Sequence, residues 1–133
     1  LDAGVVPRGW QFFCNAVSGY SGGGKAMIAE FEDEASPSFT RAPYRIYAMS
    51  QKHKHVPEMQ MRAGLSRPPI FAPSVGRYYK GMIVEVPLAL MALPNPPKLA
   101  DVHGAIAAHY VGERYVEVAS LEEAAALKAL DPE

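Results

Sequence analysis

Cys14 stands alone among 133 residues, so no disulfide can form within the chain. Such sparing use of cysteine fits a reducing compartment, and a cytoplasmic setting is expected. No apolar run is long enough to span a bilayer, which excludes a helical membrane anchor within these residues. Net charge is only −1, so no global field favours nucleic acid or an anionic lipid surface, and neither partner is expected. Internal repeats and low-complexity tracts are absent. The first residues, LDAGVVPRGW, lack the basic stretch and apolar core of a signal peptide. They also lack an initial Met and read like the tail of a helix already under way. LKALDPE, at the other end, stops soon after a helical pattern. Both ends suggest a piece excised from a longer chain.

What is present is the profile of one globular domain over residues 1–133, with 49 % apolar and 20 % charged residues. WQFFCNAV (10–17) reads as a buried strand, followed by a Gly/Ser loop over 18–24 and a short helix over 25–34. YRIYAMS (44–50) reads as a strand, with a helical turn as the alternative. HVPEMQMRAGL (55–65) carries a helix start, with Pro57 suited to the first turn and Glu58 to the positive helix end. Strands follow at 68–76 and 81–90. Pro87 cannot donate to a ladder, so the second of these belongs at an edge or bulge. A helix at 99–113, an alternating strand at 114–120 and a helix at 121–130 capped by Ser120 complete the pattern. Helices and strands mix without regular alternation, so the fold class is α+β, with a mixed, largely antiparallel sheet covered by helices.

Three features bear on chemistry. From Gly19 to Lys25 the chain reads G-x-x-x-x-G-K, most of a phosphate-cradling loop, but Ala26 stands where a metal-binding hydroxyl is required. Nucleotide hydrolysis is therefore not expected. A Gly/Ser turn entering a helix still offers backbone N–H groups and a positive helix end. Ser18 and Ser21 would add hydroxyls and Lys25 charge. The choice left is between a flexible connection and a loop that binds a substrate anion or carbonyl.

The second feature is QKHKHVPEM, with His53 and His55 two apart. Neither Cys14 nor another residue supplies an obvious third ligand, so no metal site is expected. His55 lies at the start of the predicted helix, where a neutral imidazole can serve as general base. A solvated basic turn is the alternative. Cys14, the third feature, lies between aromatic and aliphatic residues. Burial there would keep the thiol inert, so it reads as structural rather than nucleophilic. His103 and His109 lie six apart on an Ala-rich helix and read as structural or exposed.

Three blocks, NAVSGYSGGGK, PYRIYAMSQKHKHVPEM and FAPSVGRYYKGMIVEVPL, resemble in order and spacing the N-acetyl-γ-glutamyl-phosphate reductase family of the semialdehyde dehydrogenase superfamily. They run from residue 15 to about residue 90, and the remainder through YVEVASLEE fits more loosely. The resemblance implies a substrate-binding and dimerisation domain like the C-terminal domain of glyceraldehyde-3-phosphate dehydrogenase. It implies an NADP-dependent reduction of an acyl phosphate to an aldehyde in arginine biosynthesis, through a cysteine nucleophile that is not in this chain. It further implies His55 as catalytic acid/base, with His53 second and Glu58 orienting the histidine or the substrate. By the same resemblance Ser18, Gly19, Ser21, Gly22, Gly23 and Lys25 line the substrate pocket, with Tyr44 and Arg45 as further contacts. NADP(H) would belong to the full-length parent and would not bind these residues alone, which are expected to be inactive by themselves. The partners implied are an acyl-phosphate small molecule and a second copy, reached through a surface that includes residues 81–90. A lysine-pathway aminoadipyl-phosphate reductase domain and a non-enzymatic assembly domain are the alternatives.

Overall fold

The computed structural model describes residues 1–129. They form two compact units, one of residues 11–87 and one of residues 1–10 with 88–129.

The first unit holds the sheet. Its elements in chain order are β1 (Phe13–Gly19), α1 (Gly24–Glu32), β2 (Tyr44–Ile46), α2 (His55–Arg62), β3 (Ile70–Gly76) and β4 (Met82–Glu85). The strands are ordered β2-β3-β1-β4. β1 and β3 run parallel, while β1 with β4 and β2 with β3 run antiparallel. The expected mixed α+β sheet is therefore present. Side chains alternate across a strand, and in β1 this puts Cys14 and Ala16 inside while Phe13 and Asn15 stay exposed. Phe71 is the register partner of Cys14 and shares its face. Val56 of α2 closes on these three, with Met59 packed alongside, so α2 covers that side of the sheet.

β3 is an inner strand with a proline in its middle, where a missing N–H would ordinarily break a ladder. The backbone groups of odd-numbered β3 residues face the β2 side: Pro73 accepts from the Tyr47 N–H there, whereas the neighbouring Ile70 N–H bonds to Phe12 on the β1 side. β2 ends at Ile46, so the absent N–H of Pro73 falls where the ladder is already running out. At the other end of β2, Arg77 closes the structure. Its guanidinium donates to the Phe31 carbonyl at 2.9 Å and the Thr40 carbonyl at 2.6 Å, and lies over the Phe31 ring. A cation is favoured at a helix C-terminus, where carbonyls lack intrahelical partners.

Several sequence-based boundaries shift. The strand expected over 44–50 is only Tyr44–Ile46, and that over 81–90 only Met82–Glu85, with Pro87 beyond its end. β4 does lie at an edge, as a nearby proline requires. The alternating segment 114–120 is not a strand: it is turn and irregular chain. Alternation alone does not make a strand without a neighbour to complete its hydrogen bonds.

The second unit contains α3 (Leu99–His109) and α4 (Leu121–Ala126). The Asp101 carboxylate accepts the Lys98 N–H at 2.8 Å at the start of α3. Ser120 caps α4 as expected. Its Oγ accepts the Glu123 N–H while the Glu123 carboxylate accepts the Ser120 N–H, a reciprocal capping box. Hydrogen bonding to its carboxylate from Ser120, first the side chain and then the backbone N–H, holds the Glu123 carboxyl below its usual range. The last position of the expected 121–130 helix lies outside the described residues. No helix among the described residues is long and apolar enough to cross a membrane.

Candidate functional site

The glycine loop leaves β1 through a short 3-10 turn, Tyr20–Gly23, and enters α1. Its first three N–H groups are already engaged: Gly19 donates to the Gly81 carbonyl, Tyr20 to Tyr78 and Ser21 to Tyr79, at 2.8–3.0 Å. The segment before β4 thus lies directly across the loop. A Cβ at Gly19 would come within 2.5 Å of the Tyr79 carbonyl oxygen. Gly24 opens α1 with φ of +71°, a conformation that other residues rarely adopt. Gly19 and Gly24 are therefore required by the backbone itself. What remains for a ligand is the partly exposed Ser18 and Ser21 side chains, Gly22, Gly23 and the exposed Lys25.

The histidine motif lies at the start of α2. His53 Nδ1 accepts the backbone N–H of His55 at 3.2 Å. The His53 ring meets the rings of His55, Phe71 and Tyr47 at centroid distances of 4.7, 5.3 and 5.7 Å. Burial first, then the adjacent His55 and Lys54, push the His53 imidazole below the ordinary histidine range, against an opposing pull from Glu58. His55 is more open, its side chain 50 % exposed, and its Nε2 lies 3.8 Å from a Glu58 carboxylate oxygen. Glu58 follows at i+3, the spacing that stacks two side chains on one helix face. The motif therefore pairs a packed, hydrogen-bonded ring with an accessible one flanked by a carboxylate. Among the described residues no group of three His, Cys, Asp or Glu could hold a metal ion.

These two features are not adjacent. The histidines lie against Phe71, the partner of Cys14 near the start of β1, whereas the glycine loop follows Gly19, the partner of Gly76. The five residue steps of β1 from Cys14 to Gly19 span about 16 Å of strand. Arg45 pairs with Glu30 at 2.7 Å and lies over the Phe31 ring, joining β2 to α1. Tyr44 is exposed on the opposite face of the sheet from α2. Cys14 is in the core, and burial raises its thiol pKa, the setting of an unreactive cysteine. In the second unit His103 bonds through Nε2 to the Ala119 carbonyl at 2.9 Å, and His109 stacks edge-on against Tyr110. A residue that no sequence pattern singles out, Gln51, holds the Phe71 backbone at both its N–H and its carbonyl.

The curated relatives that the chain resembles are N-acetyl-γ-glutamyl-phosphate reductases. That of Brucella anthropi is 52 % identical over 132 residues, 99 % of this chain and 42 % of the relative. That of Sinorhizobium medicae is 50 % identical over 130 residues, 98 % of this chain and 42 % of the relative. That of Brucella ovis is 50 % identical over 132 residues, with 99 % and 43 % covered. The chain thus spans less than half the length of these relatives. Residues 1–132 match the model of the semialdehyde dehydrogenase dimerisation domain, and the chain belongs to that family.

Proposed function

We propose that this chain acts as a domain of an N-acetyl-γ-glutamyl-phosphate reductase and supplies its acid/base histidine, His55. The observation that carries the reading is identity of 50–52 % to reductases of that name along 98–99 % of the chain. The geometry supports the choice of histidine. His55 has an accessible ring, a carboxylate 3.8 Å away and a fixed helix start beneath it. Such a ring can take the proton of the parent enzyme's nucleophilic thiol and return a proton later in the cycle. His53, with Nδ1 engaged, supports the backbone of His55 rather than exchanging protons. Glu58, one helical turn on, is placed to orient the His55 ring.

The substrate class follows from the same reading: an acyl phosphate of a small amino-acid derivative, reduced to the aldehyde with NADPH. The described residues do not fit a dinucleotide. The one glycine-rich turn that leaves a strand uses the Gly19, Tyr20 and Ser21 N–H groups within the fold, so we derive no step through NADPH from this chain. By itself it should neither bind NADPH tightly nor reduce an acyl phosphate. Ser18, Ser21 and Lys25 are proposed to meet the substrate's distal part, with Gly22 and Gly23 allowing close approach. Their separation from His55 along β1 fits a binding role rather than proton transfer.

Assembly as a homodimer is proposed through the face of the sheet opposite α2. Phe13, Ile70, Tyr44 and Ile46 lie on that face and are 43–58 % exposed. Burial of such residues against a second copy is what a dimerisation domain requires. The test of the catalytic reading is His55→Ala in the full-length reductase, assayed in the aldehyde-oxidising direction. Unchanged turnover would refute it.

A further inference from the structure

We propose that Gln51 is a positioning residue for the histidine pair, a role that rests on the assignment of protons to His55 above. β2 leaves β3 after Ile46, and the Tyr47 N–H makes the last backbone bond, to Pro73. Phe71 faces the same side two residues further along β3, where no strand remains to pair with it. The Gln51 carboxamide takes the place of the missing strand. Its Nε2 donates to the Phe71 carbonyl at 2.7 Å, and its Oε1 accepts the Phe71 N–H at 2.8 Å. One side chain thereby satisfies both backbone groups of a core residue that would otherwise be left unpaired, a costly condition in a protein interior.

The bonded residue is also the one the histidines touch. The Phe71 ring packs against His53 at 5.3 Å and lies 6.4 Å from His55. Tyr47 holds one end of the connecting turn to β3 and Gln51 holds the other. Between them the Gln51 N–H closes on the Ala48 carbonyl, with φ of +52° at Ala48 and +62° at Gln51. Non-glycine residues in this left-handed region persist when surrounding contacts fix them. The two-point amide clamp provides such contacts two residues before His53. Without it the turn can relax, His53 loses its seat on Phe71, and the His55 N–H loses the Nδ1 acceptor that orients the first turn of α2.

The test uses the full-length reductase with Gln51→Leu, which keeps bulk and loses both bonds, and Gln51→Glu, which keeps only the acceptor. Two quantities are read: steady-state kinetics, and the ring nitrogen signals of His53 in enzyme labelled with nitrogen-15 histidine. In Gln51→Leu we expect turnover to fall about 10- to 100-fold with substrate KM nearly unchanged, the range for small misplacement of a reacting group. The His53 signals should move from a single tautomer to an exchanging mixture, with Gln51→Glu between the two. A variant that melts at lower temperature but keeps both the His53 signals and turnover would overturn the proposal. If Gln51→Leu does not fold, the same criteria apply to Gln51→Glu. If His55→Ala retains turnover while Gln51→Leu still alters the His53 signals, the catalytic assignment fails and the positioning role stands.

Discussion

His53 Nδ1 and the backbone N–H of His55 form a 3.2 Å hydrogen bond across the entry to α2. A ring nitrogen that accepts carries no proton, so neutral His53 holds its proton on Nε2. The bond spans i to i+2, the reach of an asparagine side chain in an Asx turn. We therefore expect His53→Asn to retain most of the turnover of the full-length enzyme. His55→Asn should lose on the order of 10²–10⁴-fold, the usual contribution of a positioned acid/base. Comparable losses from the two substitutions, measured by steady-state assay, would contradict the division of roles between them.

Stability should depend on pH through the same ring. The His53 pKa is depressed in the folded protein, by burial first and then by His55 and Lys54. The unfolded chain therefore binds the proton more readily than the folded one. In the interval between the two pKa values, stability rises with pH. His53 contributes nothing adverse above the ordinary histidine range, and the folded state loses stability as pH falls from that range toward the depressed value. Thermal melts across that interval should show a steeper acid-side decline for the wild type than for His53→Asn. Parallel curves would show that His53 protonation is not linked to unfolding.

How far these features are legible in the sequence depends on how local their causes are. FCNAVSG shows its two faces by alternation, and α2 shows its start through Pro57 and Glu58. Both are present near the expected positions. The motif HKHVPEM likewise places the histidines at a helix start without any tertiary information. The glycine loop is different. Its N–H groups look available because the acceptors, the carbonyls of Tyr78, Tyr79 and Gly81, lie far downstream. RYVEVAS has strand-like alternation, but pairing depends on a neighbour that its local sequence does not encode. Gln51 is the extreme case. Its role follows from β2 stopping at Ile46 while β3 continues, and no local pattern of residues records that difference in length.

The glycines of the loop should separate cleanly by mutation. At Gly19 a Cβ would lie 2.5 Å from the Tyr79 oxygen and 2.7 Å from the Lys80 nitrogen, both backbone atoms that cannot rotate away. At Gly22 the nearest atom is the Ser18 Oγ, at 4.0 Å. Gly19→Ala should destabilise by roughly 1–3 kcal/mol, as overpacking does. Gly22→Ala should stay within about 0.5 kcal/mol of the wild type, as exposed substitutions do. Urea unfolding of the two variants measures this. A neutral Gly19→Ala would mean that the segment before β4 is not held against the loop.

The last prediction concerns which surface joins two copies. From the sequence, the contact is expected on a surface that includes residues 81–90, and within them Val84 of β4 is 49 % exposed. Val84 is the register partner of Ala16, however, and so projects on the α2 side of the sheet. Ile46 and Phe13 project on the other side, where they are 58 % and 43 % exposed. A dimer formed through that second face would bury both residues. Lysine at position 46 would then carry an unpaired charge into an apolar contact, whereas in the monomer it would reach solvent. Ile46→Lys should raise the dimer dissociation constant roughly 10²–10³-fold, equivalent to about 3–4 kcal/mol. Its circular dichroism spectrum should not change, because the side chain is mostly exposed before association. Val84→Lys should change association much less if the face, rather than the β4 edge, makes the contact. Sedimentation equilibrium of the three proteins decides between these surfaces. A Val84→Lys variant that dissociates while Ile46→Lys remains dimeric would move the interface to β4. A wild-type chain that stays monomeric at high micromolar concentration would remove the dimer altogether.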